Sequence, residues 1–88
     1  MYQTSLYFKL KDAPGLERHH ILELFFKSWV DGTCNNEVDY ELETRTGHSN
    51  PAVWEETYRV DFEHIEDAVA LKLKGVPLDF QKYIELVT

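Results

Sequence analysis

Two stretches decide the fold: residues 37–44, EVDYELET, and residues 53–75, VWEETYRVDFEHIEDAVALKLKG. In the first, Val38, Tyr40 and Leu42 alternate with Glu37, Asp39, Glu41 and Glu43. A period of two sends the apolar set to one face of a strand and the carboxylates to the other. In the second, Trp54, Glu56, Tyr58, Val60 and Phe62 share one face of a strand over 53–62. The period then changes. Ile65, Ala68, Val69, Leu71 and Leu73 recur at helical spacing, which predicts a helix over 63–74 closed by Gly75. Between the two strands, residues 45–52 contain Gly47 and Asn50-Pro51 and read as a hairpin loop.

Toward the N-terminus, Leu6, Phe8 and Leu10 alternate within 4–10 and mark another strand. Lys11-Asp-Ala-Pro-Gly15 breaks it, and Pro14 suits the first turn of a helix over 14–31. That helix carries Leu16, Ile21, Leu22, Leu24, Phe25, Phe26, Trp29 and Val30, with Gly32 as its expected stop and a turn over Thr33–Asn36. After Pro77, residues 80–87 are read as a fourth strand with Ile84 and Leu86 inward, in preference to a short helix. The order β-α-β-β-α-β is that of the ferredoxin-like split βαβ sandwich, an α+β fold. Right-handed crossovers then place two helices on one face of an antiparallel sheet in spatial order 4-1-3-2. With 88 residues and no internal repeat, the chain is expected to be a single domain, 1–88.

Composition narrows the function. A hydrophobic content of 43% with 14% aromatics excludes a disordered tail or a low-complexity linker. Sixteen acidic against nine basic residues give a formal charge of −7, which repels phosphate backbones and argues against direct nucleic-acid binding. The single cysteine, Cys34, cannot form an internal disulfide, so a reducing cytoplasm is the expected location. No apolar run approaches the ~20 residues a membrane span needs, and no basic leader precedes the first strand. Numbering from Met1 suggests a complete small gene product.

The acidic row is the most informative feature. Glu37, Asp39, Glu41 and Glu43 alternate on one strand, so their side chains recur about every 6.5–7 Å on a single face. Such a row either discourages pairing at a sheet edge or docks on a basic surface. On the same open face the neighbouring strands would show Glu55, Thr57, Arg59 and Asp61, and Ser5, Tyr7, Lys9 and Lys11. The face would grade from acidic to basic, with Arg59 neutralising Asp39 or Glu41, and a second copy could meet it antiparallel. The first helix is apolar almost all round, more than one buried stripe requires. Phe26 and Trp29 either cover the core or form an aromatic patch for a partner chain.

Catalytic and metal signatures are absent. His19 and His20 are adjacent on a helix and diverge by about 100°, while His48 and His64 stand apart from them, so no metal site is expected. Ser5, Ser28 and Ser49 lack a nucleophile elbow, Cys34 lacks an activating cation, and no glycine-rich phosphate cradle is present. Asp12 follows the first strand as in metal-dependent nucleases of this topology, but nothing else in that pattern accompanies it. No cofactor is therefore expected.

The segment Tyr58–Gly75 resembles a strand-into-helix unit of small accessory proteins of T4-like tailed bacteriophages. Phe62, Asp67, Ala68, Leu71, Lys72 and Leu73 carry the likeness. The resemblance implies a small viral protein made in an infected bacterium, of a class that binds and redirects or inhibits host proteins, defence systems included. The leading expectation is thus a non-enzymatic, acidic protein-binding module contacting its partner through Glu37, Asp39, Glu41, Glu43, Phe26 and Trp29, with nucleic-acid mimicry as a special form. The alternative is a dimeric small-molecule-binding protein or cofactor-free enzyme, its pocket lined by His20, Trp54, Tyr58 and Tyr83.

Overall fold

The computed structural model describes residues 4–11, 16–46 and 54–87, and for residues 16–19 the backbone alone. Its elements are β1 (Thr4–Lys11), α1 (Leu16–Thr33), β2 (Val38–Thr46), β3 (Glu55–Phe62), α2 (Ile65–Lys74), a 3₁₀ turn over Leu78–Phe80 and β4 (Ile84–Leu86). The four strands form one antiparallel sheet in the order β2-β3-β1-β4, which is the expected ferredoxin-like arrangement. The expected helix start at Asp12–Pro14, residues 47–52 of the hairpin loop expected over 45–52, and the expected strand residue Val53 lie outside the described residues.

The period-two residues behave as strand geometry demands. Leu6, Phe8 and Leu10 of β1 and Tyr58, Val60 and Phe62 of β3 are all buried against the helices. From α1, Leu22, Phe26, Trp29 and Val30 meet them, and from α2, Ala68 and Leu71 complete the same core. Both helices therefore cover one face of the sheet, and the other face is left open. Phe26 is the hub, with ring centroids 5.2 Å from Phe8, 5.5 Å from Tyr58, 6.0 Å from Tyr40 and 6.4 Å from Trp29.

Three details differ from the sequence reading. First, α1 runs through Gly32 and ends at Thr33, whose hydroxyl donates to the Trp29 carbonyl at 2.9 Å. Gly75, by contrast, closes α2 as expected: its φ of 71° is one an L side chain rarely adopts, and its N–H reaches the Leu71 carbonyl. Second, the stretch expected as a strand over 80–87 is split. Phe80 closes the 3₁₀ turn and stacks on Phe25 at 3.6 Å, and only Ile84–Leu86 pairs with β1. Third, β2 carries a bulge. Its register against β3 holds from Val38 to Leu42 and shifts at Glu43, so that Thr44 opposes Thr57 and Arg45 opposes Glu56. One inserted residue moves everything after it to the opposite face. Arg45, expected in the loop, is therefore a strand residue on the core side.

Asp67 locks the α1–β2 connection. Its carboxylate accepts the backbone N–H of Asn35 at 3.0 Å, that of Asn36 at 3.2 Å and the Asn36 side-chain amide at 3.1 Å. Burial by itself would push this acid up, but the Asn35 and Asn36 donors outweigh it and hold the group below the ordinary range. A depressed acid stabilises the fold above the unfolded value of about 3.9, and that contribution fades as pH falls through the folded value. Asp67→Asn is expected to lower stability by about 2 kcal/mol at pH 7. In a series of denaturant melts, the gap between wild type and variant should narrow on acidification below the unfolded value of about 3.9.

Candidate functional site

The open face of the sheet is built by the outward residues of all four strands. From β2 come Asp39, Glu41 and Glu43, from β3 Glu55, Thr57, Arg59 and Asp61, from β1 Ser5, Tyr7, Lys9 and Lys11, and from β4 Glu85. Its cations are already committed. Lys9 pairs with Glu55 and Lys11 with Glu85, each at 3.2 Å. Arg59 lies opposite Glu41 in the register but turns elsewhere: Nη1 bonds Glu43 at 2.8 Å and Nε bonds Asp61 at 3.0 Å. Glu43 keeps the outer side that alternation gives it and stands at the bulge beside Arg59.

Asp39 and Glu41 are thus left exposed and without an ion-pair partner among the described residues, and Glu37, exposed just before β2, extends the row. Asp39 also stands directly opposite Asp61, whose carboxylate is already engaged by Arg59 and by the Ser5 hydroxyl at 2.6 Å. Like charges facing across a ladder are unfavourable, and Arg59 compensates the Asp61 side of this pair. The expected neutralisation of Asp39 or Glu41 by Arg59 is corrected accordingly. So is the expected acidic-to-basic gradient: the β1 lysines are neutralised by Glu55 and Glu85, and the face runs from acidic at the β2 edge to balanced at β4.

Phe26 and Trp29 do not join this surface. Both are buried in the core, Phe26 completely, so the expectation that they contact a partner is corrected. An aromatic side chain at the centre of a packed helix–sheet interface has no exposed area to offer. What α1 exposes is Ile21 and Leu24, and α2 exposes Ile65, Val69 and Leu73 at a four-residue spacing, opposite its buried Ala68 and Leu71. The alternative pocket is not assembled either. Trp54 and Tyr58 are packed in the core, His20 is exposed on α1, and Tyr83 belongs to an open groove of about 710 Å³ shared with Lys11, Val76, Gln81, Lys82, Ile84 and Glu85.

One cluster escaped the sequence reading. Glu56 faces the core and is fully buried, the one acid in the inward series Trp54, Glu56, Tyr58, Val60 and Phe62. Its Oε2 accepts the Arg45 Nε–H, while Oε1 is buried without a hydrogen-bond donor. Beside it the Tyr58 hydroxyl donates to Glu23 Oε2 at 3.0 Å, and Lys27 Nζ lies 5.6 Å from the Tyr58 ring. Burial pushes Glu56 up, Arg45 pulls it back and the Glu23 carboxyl pushes it up again, leaving it above the usual carboxylate range. Burial and the Glu23 carboxylate likewise raise the Tyr58 hydroxyl. The signal available in the sequence was a carboxylate at an inward strand position; its partner was hidden behind the bulge.

Elsewhere the chemistry is subdued. Cys34 is half-buried, and burial followed by the charges of Asp67 and Asp31 pushes its thiol up to about 11, a range where little thiolate exists at neutral pH. Among the described residues, no group of three or more His, Cys, Asp or Glu side chains is arranged to hold a metal ion. No helix among them is long and apolar enough to cross a membrane. No family model, curated protein or solved structure matches this chain.

Proposed function

We propose that this chain is a non-enzymatic binding module that docks on a basic protein surface through the outer side of β2, with Asp39 and Glu41 at the centre of the contact. The observation that carries the reading is a pair of exposed carboxylates, Asp39 and Glu41, without an ion-pair partner among the described residues, on a face where Lys9, Lys11 and Arg59 are already engaged. Uncompensated charge of one sign reaches beyond contact distance and accelerates encounter with a surface of the other sign. The resemblance around Tyr58–Gly75 supplies a setting: a small phage protein in the cytoplasm of an infected bacterium, binding a host enzyme or defence complex. A partner that normally holds nucleic acid is the natural target, since a regular row of carboxylates offers it the charge pattern of a phosphate backbone.

Asp39→Lys combined with Glu41→Lys tests the reading, because both residues are exposed and neither packs in the core. A bacterial protein captured by the wild type and by a Glu66→Lys control on α2 is expected to be lost by the double variant. Equal capture by all three would exclude the β2 face.

A further inference from the structure

Helix α2 carries more apolar surface than the sheet receives. Toward the core it sends Ala68, Leu71 and the carboxylate of Asp67, while Ile65, Val69 and Leu73 stay outside at 57%, 48% and 82% exposure. Their four-residue spacing stacks them into one ridge, about 12 Å long at the helical rise. The stacking of Phe25 on Phe80 brings α1 alongside the turn that follows α2, and α1 adds the exposed Ile21 and Leu24 to the same helical layer. A contiguous exposed apolar patch of this kind marks a contact site.

The charges beside the ridge choose its occupant. Glu66 lies three residues before Val69, Lys72 three residues after it, and Lys74 two further on. All three are exposed, and none has an ion-pair partner among the described residues. Two copies of α2 packed antiparallel about a two-fold axis at Val69 set Ile65 of each copy against Leu73 of the other. Glu66 of each then stands level with Lys72 of the other, with Lys74 about 3 Å beyond. The helix dipoles also oppose each other in this arrangement. A parallel pair would instead bring Glu66 against Glu66 and lysine against lysine. The ridge is thus self-complementary in shape and in sign, as an isologous interface requires.

We propose that a second copy of this chain covers α2, forming an antiparallel two-fold dimer centred on Val69. The dimer is independent of the acidic outer face, which lies on the other side of the sheet and stays open in both copies. A ten-residue helix covers less than the roughly 800 Å² per partner of a standard interface, so the dissociation constant is expected in the micromolar range.

The test is sedimentation equilibrium of the full chain from low micromolar to millimolar concentration. The mean mass should rise with concentration toward that of two chains. Val69→Lys sets two ammonium groups against each other at the axis and should raise the dissociation constant at least about tenfold. Leu73→Lys, at a position that contributes little to the fold, should also weaken the dimer. Glu66→Lys and Lys72→Glu should each weaken it, and the two combined should restore it, because only an antiparallel pair exchanges these charges. Asp39→Lys combined with Glu41→Lys should still dimerise. A mass that stays at one chain at every concentration, leaving the ridge to a different protein, overturns the proposal. So does a dimer that survives Val69→Lys and Leu73→Lys, or one that the charge exchange fails to restore.

Discussion

Phe26→Ala is expected to cost about 4 kcal/mol, the largest effect of any single substitution considered for this chain. Phe26 is fully buried and touches four aromatic rings, from β1, β2, β3 and its own helix. Truncation removes the transfer free energy of the ring and leaves a void that rigid neighbours fill poorly. Phe8 and Tyr58 are fixed to the two central strands and cannot move inward without breaking the ladder between them. For a domain of this size the loss corresponds to a drop in melting temperature of roughly 20 °C. Chemical denaturation should show it as a lower midpoint at unchanged slope. Phe26→Leu, which keeps most of the volume, should recover over half of the stability. A loss below about 1 kcal/mol for Phe26→Ala would mean that the ring is not in the core.

Arg45→Gln is expected to be nearly as damaging at neutral pH, at about 3 kcal/mol. Removing one member of a buried ion pair leaves the other charge uncompensated, and Glu56 has no route to water. The Arg45 side chain is 44% exposed, which places the cost at the low end of the range for buried pairs. Arg45 is what pulls the buried Glu56 carboxyl down, so without it Glu56 holds a proton still more tightly in the folded state. Stability of the variant therefore falls more steeply with rising pH than that of the wild type, and the deficit shrinks as pH is lowered toward about 5. Adding Glu56→Gln removes the buried charge and should return most of what Arg45→Gln takes away. A double-mutant cycle by thermal melting checks this; simple additivity would show that Arg45 and Glu56 do not act as a pair.

The architecture was legible because its signals are periodic. Alternation over 4–10, 37–44 and 53–62 and helical spacing over 14–31 and 63–74 each survive a residue or two of uncertainty at the ends, and their order allows few topologies. The bulge was not legible, since a one-residue insertion at Glu43 changes neither composition nor period before it occurs. Through it the reading lost Arg45 to a loop and therefore missed the partner of Glu56. The aromatic patch failed for a different reason. A helix apolar all round does not announce which arc packs, and Phe26 and Trp29 fell on the arc that Phe8 and Tyr58 already filled, leaving Ile21 and Leu24 outside. Near the C-terminus, three paired residues are too few for alternation to outweigh the turn that precedes them.

The acidic row fared best, because its orientation follows from the inward set of Val38, Tyr40 and Leu42. Only its ion pairing required coordinates: Arg59 chose Glu43 and Asp61, and Asp39 and Glu41 have no ion-pair partner among the described residues. The decisive measurement is the association rate constant with the captured partner across a range of ionic strength, for wild type and for Asp39→Lys/Glu41→Lys. At low salt the wild type should associate at least about tenfold faster, with the advantage vanishing as salt screens the charges. Rates that coincide at every ionic strength would contradict the assignment of the β2 face as the contact surface.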